Sequence, residues 1–150
     1  MPTSILVQRF EPKFAGKVCT KHEHMFIWMD YIQNTQNISI LHQRNHREVY
    51  IGPYLVDGYD PENNTVYEYN GCWYHGHHCL QHSRQKPENM ARLKSSHERT
   101  VTRAEYIKSL GYSLVTMWEC DFIQQLNDDK ILDTFYLDRL PPFYREHPGT

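Results

Sequence analysis

Cys72, His77, Cys79 and Cys120 constrain this chain more than any other residues. The first three lie in one run, Gly71-Cys72-Trp73-Tyr74-His75-Gly76-His77-His78-Cys79, and the fourth ends a separate apolar segment that begins at Tyr112. Two thiols and an imidazole at C-x4-H-x-C, with a distant third thiol, can supply a closed tetrahedral zinc shell. Four protein ligands leave no open position, so such an ion builds structure and any chemistry lies next to it. A lone buried Cys is usually a small hydrophobe, but here three candidate ligands crowd into eight residues. His75 and His78 stand beside His77 as alternative imidazoles.

The cysteine count has a second consequence. Cys19 is left over, which fits an intracellular metal-binding chain better than a disulfide framework. The 150 residues suffice for one domain with its own core. No apolar run approaches membrane-spanning length, and the first ten residues lack a secretory pattern. The expectation is an intracellular protein, nuclear if the source is eukaryotic, neither secreted nor membrane-bound. A formal charge of −2 excludes a strongly basic nucleic-acid coat but not a local basic face.

Periodicity predicts the elements. Residues 1–19 hold a short strand, Ile5 to Val7, and a connection. Met25, Trp28, Met29 and Ile32 repeat at helical spacing, predicting a helix from about Lys21 to Asn34 that Thr20 could cap. Ile38–Leu41, Val49–Ile51 and Tyr54–Tyr59 read as strands; Asp60–Asn64 is a turn and Val66–Tyr69 the returning strand. The stretch from His82 to Arg103 is polar and basic; its second half reads as a helix ending at Gly111. A buried strand, Tyr112–Trp118, and a helix, Phe122–Leu137, follow. The expected organisation is an N-terminal segment 1–19, a domain 20–138, and a Pro-rich docking segment or linker start at 139–150.

The turn makes a sharper prediction. If Asp60 pairs with Thr65, Asp57 lies directly opposite Glu68 on the same face. Their Cβ atoms would then be roughly 4.5–5.5 Å apart, a destabilising arrangement for like charges. A divalent cation between them relieves that repulsion, and Mg2+ suits one or two carboxylates with substrate phosphate. The alternative is a solvated hairpin whose acids keep an edge soluble. The apolar flanks Leu55, Val56, Val66, Tyr67 and Tyr69 favour the metal.

Trp73 and Tyr74 sit inside the Cys/His loop. They either cover the metal or, if exposed, stack on or wedge between bases. Arg84, Lys86, Arg92, Lys94, Arg99 and Arg103 either line a DNA backbone or form a solvated helix face. Arg99 and Arg103 are the candidates for DNA contact.

These residues together resemble the very-short-patch repair (Vsr) endonuclease branch of the PD-(D/E)xK nuclease superfamily. The resemblance rests on Asp57, the Gly71–Cys79 run beginning fourteen residues later, and Trp118-Glu119-Cys120, and spans about Leu55 to Phe122. It implies a three-layer α/β/α restriction-endonuclease-like fold with a mixed central sheet and a structural zinc site. It also implies Mg2+-dependent phosphodiester hydrolysis, with Mn2+ as a substitute ion. Carried over by position, Asp57 is similar to the metal-binding aspartate, and Tyr69 falls where a backbone carbonyl reaches the metal. His75 is similar to the histidine near the attacking water, His77 is the zinc imidazole, and Trp73 and Tyr74 resemble intercalating aromatics.

The pattern also departs from that family. Glu68 restores a second acid typical of the superfamily. Asn70 replaces both the superfamily lysine and the family's second histidine, so water activation falls more on His75. Glu23 on the first helix is a possible match to an N-terminal acid. A later helical acid is missing, with Thr100 near its position and Glu98 a weak substitute. The phrasing from Val56 to Asp60 and from Tyr67 to Cys72 also resembles nuclease-like domains beside protein-primed family B DNA polymerases of large self-synthesising transposons and related viruses. The resulting expectation is a zinc-stabilised, Mg2+-dependent DNA endonuclease of repair, replication or mobile-element processing. It would nick DNA or select mismatches or structures, with a polymerase domain as a candidate partner. The rival is a catalytically weak or inactive zinc-containing nucleic-acid-binding module, and a third reading is a structural adaptor in a replication protein.

Overall fold

The structure, a computed structural model, describes residues 20–77, 79 and 87–140. The strand expected at Ile5–Val7, Cys19, His78, Arg84, Lys86 and the Pro-rich residues 141–150 lie outside them. The chain divides into two compact units, one formed by the segments before Ile38 and after Cys120, the other by Ile38–Cys120.

The first unit is helical. Helix α1 spans Thr20–Gln36. It buries Phe26 and Ile27 as well as the expected Met25, Trp28, Met29 and Ile32, so its apolar surface is wider than one stripe. The single helix expected over Phe122–Leu137 is instead two: α3, Glu119–Asp128, and α4, Lys130–Arg139. The break is at Asp129, which is extended (φ −119°, ψ 105°) and accepts hydrogen bonds from the Ile131 and Leu132 amides at 2.9 and 3.2 Å. A short carboxylate satisfies helix-start donors better than it serves a helix interior. Within this unit the His24 ring packs against Phe122 and Tyr136, and Tyr31 meets Phe135 edge-on.

The second unit carries the strands. β1 (Val49–Ile51) and β2 (Tyr54–Val56) form a two-stranded antiparallel sheet. β3 (Gly58–Asp60), β4 (Thr65–Asn70) and β5 (Ser113–Trp118) form a mixed three-stranded sheet in that order. β3 pairs antiparallel with β4, and β4 pairs parallel with β5. The run expected as one strand, Tyr54–Tyr59, is broken at Asp57, where the chain passes from one sheet to the other. Ile38–Leu41 is not a strand; only Leu41 bridges to Tyr59. β5 is not buried as expected, since Ser113, Val115 and Thr116 are exposed.

The β3–β4 register is fixed by its turn. Asp60 accepts from the Glu62 and Asn63 amides at 3.0 and 3.2 Å, and Asn64 takes a left-handed conformation (φ 50°). Asp and Asn are the residues that stabilise such a loop. Asp60 consequently pairs with Thr65, and the register runs to Gly58 opposite Tyr67, the residues next to Asp57 and Glu68.

Parallel β4 and β5 need a crossover, and helix α2, Pro87–Ser109, lies between them in the chain. Its Ile107 is buried in one cluster with Val66, Ile51 and Val56. Strand alternation puts Glu68 and Asn70 on the same face as Val66, the face that α2 covers. Helical spacing from Ile107 then brings Arg103 to Glu68 and Thr100 to His75. The unit is thus mixed α/β, and its helix is docked along the strand that carries Glu68.

Candidate metal centre and adjoining acid pair

Cys72 and Cys120 each follow by two positions a pair of register partners, Asn70 and Trp118. Parallel pairing therefore delivers both thiols to the same end of the sheet. The loop does the rest. Residues 72–76 form one tight turn: the His77 amide donates to the Cys72 carbonyl at 2.9 Å and the Gly76 amide to the Trp73 carbonyl at 3.4 Å. With Gly76 left-handed (φ 63°), this is the bond pattern of a Schellman motif. It folds a C-x4-H spacing back on itself, so the two side chains converge.

One donor atom from each of Cys72, His77, Cys79 and Cys120 lies within 4.8 Å of every other. His77 Nδ1 is 3.7 Å from Cys72 Sγ and 3.4 Å from Cys120 Sγ. Standard bond lengths in a zinc tetrahedron separate sulfur and nitrogen by about 3.6 Å. The donor set and the spacing both fit zinc, and this Cys3His group can hold such an ion. Burial first, then the neighbouring Cys120 and Cys79 thiols, push the Cys72 thiol above its ordinary pKa. A cation at the centre would reverse that, since a coordinating thiol is deprotonated. The Trp118 ring stacks on His77 with centroids 4.1 Å apart, and the Cys72 amide donates to Glu119 Oε1 at 3.2 Å. All three residues of Trp118-Glu119-Cys120 thus serve the centre.

The acid pair lies just before the loop. At the corner between β2 and β3 the Asp57 amide donates to Glu68 Oε2 at 3.3 Å, and Asp57 Oδ2 accepts from the Tyr69 amide at 2.8 Å. Glu68 is 7% exposed. Burial, then the charge of Asp57, push its carboxyl up to about 7, against the opposing pull of Arg103. Arg103 Nε donates to Glu68 Oε1 at 2.6 Å, one guanidinium nitrogen donates to the Leu55 carbonyl at 2.8 Å, and the guanidinium lies over the Tyr54 ring. Arg103, read from sequence as a DNA contact, is here the counter-charge of the second acid. Asn70 is buried on the same side as Glu68. Tyr69 supplies its amide to Asp57 and is buried. Glu23 lies on α1, in the helical unit.

His75 is oriented by α2. Its Nδ1 is 3.1 Å from Thr100 Oγ1. The Thr100 hydroxyl has one proton and two carbonyls to give it to, Ser96 O at 2.9 Å and His75 O at 3.3 Å. The contact holds the ring against α2 with either partner as the donor. Of the two loop aromatics, Tyr74 is 66% exposed, whereas Trp73 is half-buried under Arg92, whose guanidinium sits 4.9 Å from the ring centroid. His75, Tyr74, Arg99 and Arg103 line one cleft.

Sequence reasoning missed Thr100 and Arg103 as partners of His75 and Glu68, because each pair joins residues 25 and 35 positions apart. It also missed the close approach of Gly76 to α2, where a Cβ would run into the Leu93 carbonyl and lie 2.6 Å from the His97 nitrogen. The G-C-W-Y-H-G-H spacing carried a signal for the Schellman turn. No helix among the described residues is long and apolar enough to cross a membrane. No protein-family model, curated protein or solved structure matches the chain.

Proposed function

We propose that the chain is a metal-dependent endonuclease that hydrolyses phosphodiester bonds in DNA, similar in plan to the Vsr branch of the PD-(D/E)xK nucleases. The three-layer α/β/α arrangement of that superfamily is part of the proposal. The observation that carries it is the adjacency of half-buried Asp57 and buried Glu68 at the base of the Cys/His loop, with the Asp57 amide donating to Glu68 and the Tyr69 amide to Asp57.

Asp57 and Glu68 would hold Mg2+. When bound, that ion supplies a water of lowered pKa and neutralises charge on the scissile phosphate. Thr100 holds the His75 ring, whose imidazole would take a proton from water or pass one to the leaving oxygen. The Cys3His centre keeps the loop folded and so fixes His75 and Tyr74. Glu68 has to exchange Arg103 for the cation, which leaves Arg103 beside the site as a cation for the substrate phosphate.

That same ion pair favours a second reading. Arg103 already neutralises Glu68, and Asn70 offers no charge in place of a lysine. A nucleic-acid-binding module that does not turn over would keep both features. Supercoiled, mismatched and branched DNA incubated with Mg2+ or Mn2+ separates the two. The nuclease converts supercoiled plasmid to nicked circles, Asp57→Asn abolishes nicking, and the variant still binds DNA. Binding by wild type without nicking under every condition establishes the second reading instead.

A further inference from the structure

The cleft between the Cys72–His77 turn and α2 has a volume of about 570 Å³, within the range of small-ligand sites. One ring on it, Tyr74, is largely exposed. One cation on it is oriented but not neutralised. Arg99 Nη1 donates to Ser95 Oγ at 3.0 Å and Nη2 to Ser96 Oγ at 3.1 Å. Two neutral hydroxyls fix the direction of that guanidinium, and among the described residues no carboxylate pairs with it. Such a fork suits the oxygens of a phosphate.

The charge on the rest of the lining is nearly balanced. Glu98 shares the cleft, and in the absence of a divalent ion Arg103 is opposed by Glu68. A long run of backbone held by charge would need more cations than this. A single phosphate with an aromatic platform beside it would not.

We propose that this cleft seats one unpaired nucleotide of a DNA strand, its base stacked on Tyr74 and its phosphate on Arg99. A base within a duplex has both faces covered by its neighbours and must be unstacked before a ring reaches it, whereas an extruded or single-stranded base offers a face to Tyr74 without that cost. His75 lines the same cleft, so the seated nucleotide lies at the proposed reaction centre. The inference rests on the nuclease reading and narrows its substrate class to single-stranded or locally opened DNA.

The test uses the zinc-loaded full chain without added Mg2+. Fluorescence anisotropy follows a labelled oligothymidylate of about ten nucleotides, a duplex of equal length, and thymidine monophosphate as competitor. The strand binds more tightly than the duplex, and the mononucleotide competes only weakly. Tyr74→Ala weakens strand binding roughly five- to 160-fold, as expected for loss of one stacked base. Arg99→Ala lowers the slope of log affinity against log salt by about 0.7, one phosphate on a single strand. Equal binding of strand and duplex overturns the proposal, as does wild-type behaviour of both variants. A mononucleotide that binds as tightly as the strand overturns it too, in favour of a free-nucleotide site. Nicking is scored separately. Binding that responds to both variants, with no nicking by wild type, retains the cleft and removes the nuclease. Nicking by wild type with both variants binding normally does the reverse.

Discussion

Gly76 is under two independent demands. Its φ of 63° is strained for any residue with a side chain, and its Cα faces the backbone of α2 at Leu93 and His97. The left-handed strain and the overpacking together should make Gly76→Ala cost about 2–4 kcal/mol. Denaturant unfolding measures the loss, and weaker zinc retention should accompany it, because the turn that brings His77 to Cys72 opens. Glu68 is a second residue with an environment of its own making. Its carboxyl rises from 4.5 to about 7, chiefly by burial. A raised folded-state pKa means that the folded chain holds this proton more tightly than the unfolded one. The stability it contributes is therefore fully present below pH 4.5 and is lost as pH rises through about 7. Thermal unfolding without divalent ions should show that decline, and Glu68→Gln should flatten it. Added Mg2+ should stabilise wild type more above pH 7 than below it, since a cation takes the deprotonated acid. A Mg2+ effect independent of pH, or equal in Glu68→Gln, would sink the metal role of this residue.

Among the elements, α1 and α2 use helical spacing differently. On α1 the buried side chains include His24, 1% exposed, whose pKa burial lowers from 6.5 to about 3. The unfolded chain takes up a proton that the folded chain refuses. This contribution is present above pH 6.5 and is lost as pH falls toward about 3. His24→Phe keeps a ring against Phe122 and Tyr136 and should therefore lose less stability on acidification than wild type, measured by thermal unfolding across that range. On α2 the spacing aligns function instead. Ile107 anchors the helix to Val66, and successive turns then present Arg103 to Glu68 and Thr100 to His75. Both the acid pair and the histidine are tuned by the same helix, so a change that shifts α2 along its axis alters both.

For the molecule as a whole, the Cys3His group draws together two segments far apart in sequence, the loop after β4 and the end of β5. Purified protein should carry one zinc per chain by atomic spectroscopy, and Cys120→Ser should lose it. Chelation should lower the unfolding temperature, with hydrogen exchange rising first in residues 71–77 and in the part of α2 around Leu93 and His97 that packs on Gly76. Much of this could be read in advance from residue types at short range. The ligand set is written in one loop and one strand end, the Asp60–Asn64 turn carries the hairpin register, and apolar periodicity marks α1. The break in the last helix was also legible at Asp129, a capping residue, but helical patterning on both sides of it masked it. What the sequence determined by itself is local: the turns, the periods and the pair of acids that a register implies. Only the tertiary structure decided that Arg103 answers Glu68, that Thr100 holds the ring of His75, and that the strand bends between two sheets at Asp57. Those pairings arise when a helix docks on a strand, and docking selects partners by shape and burial across separations that no sequence period encodes.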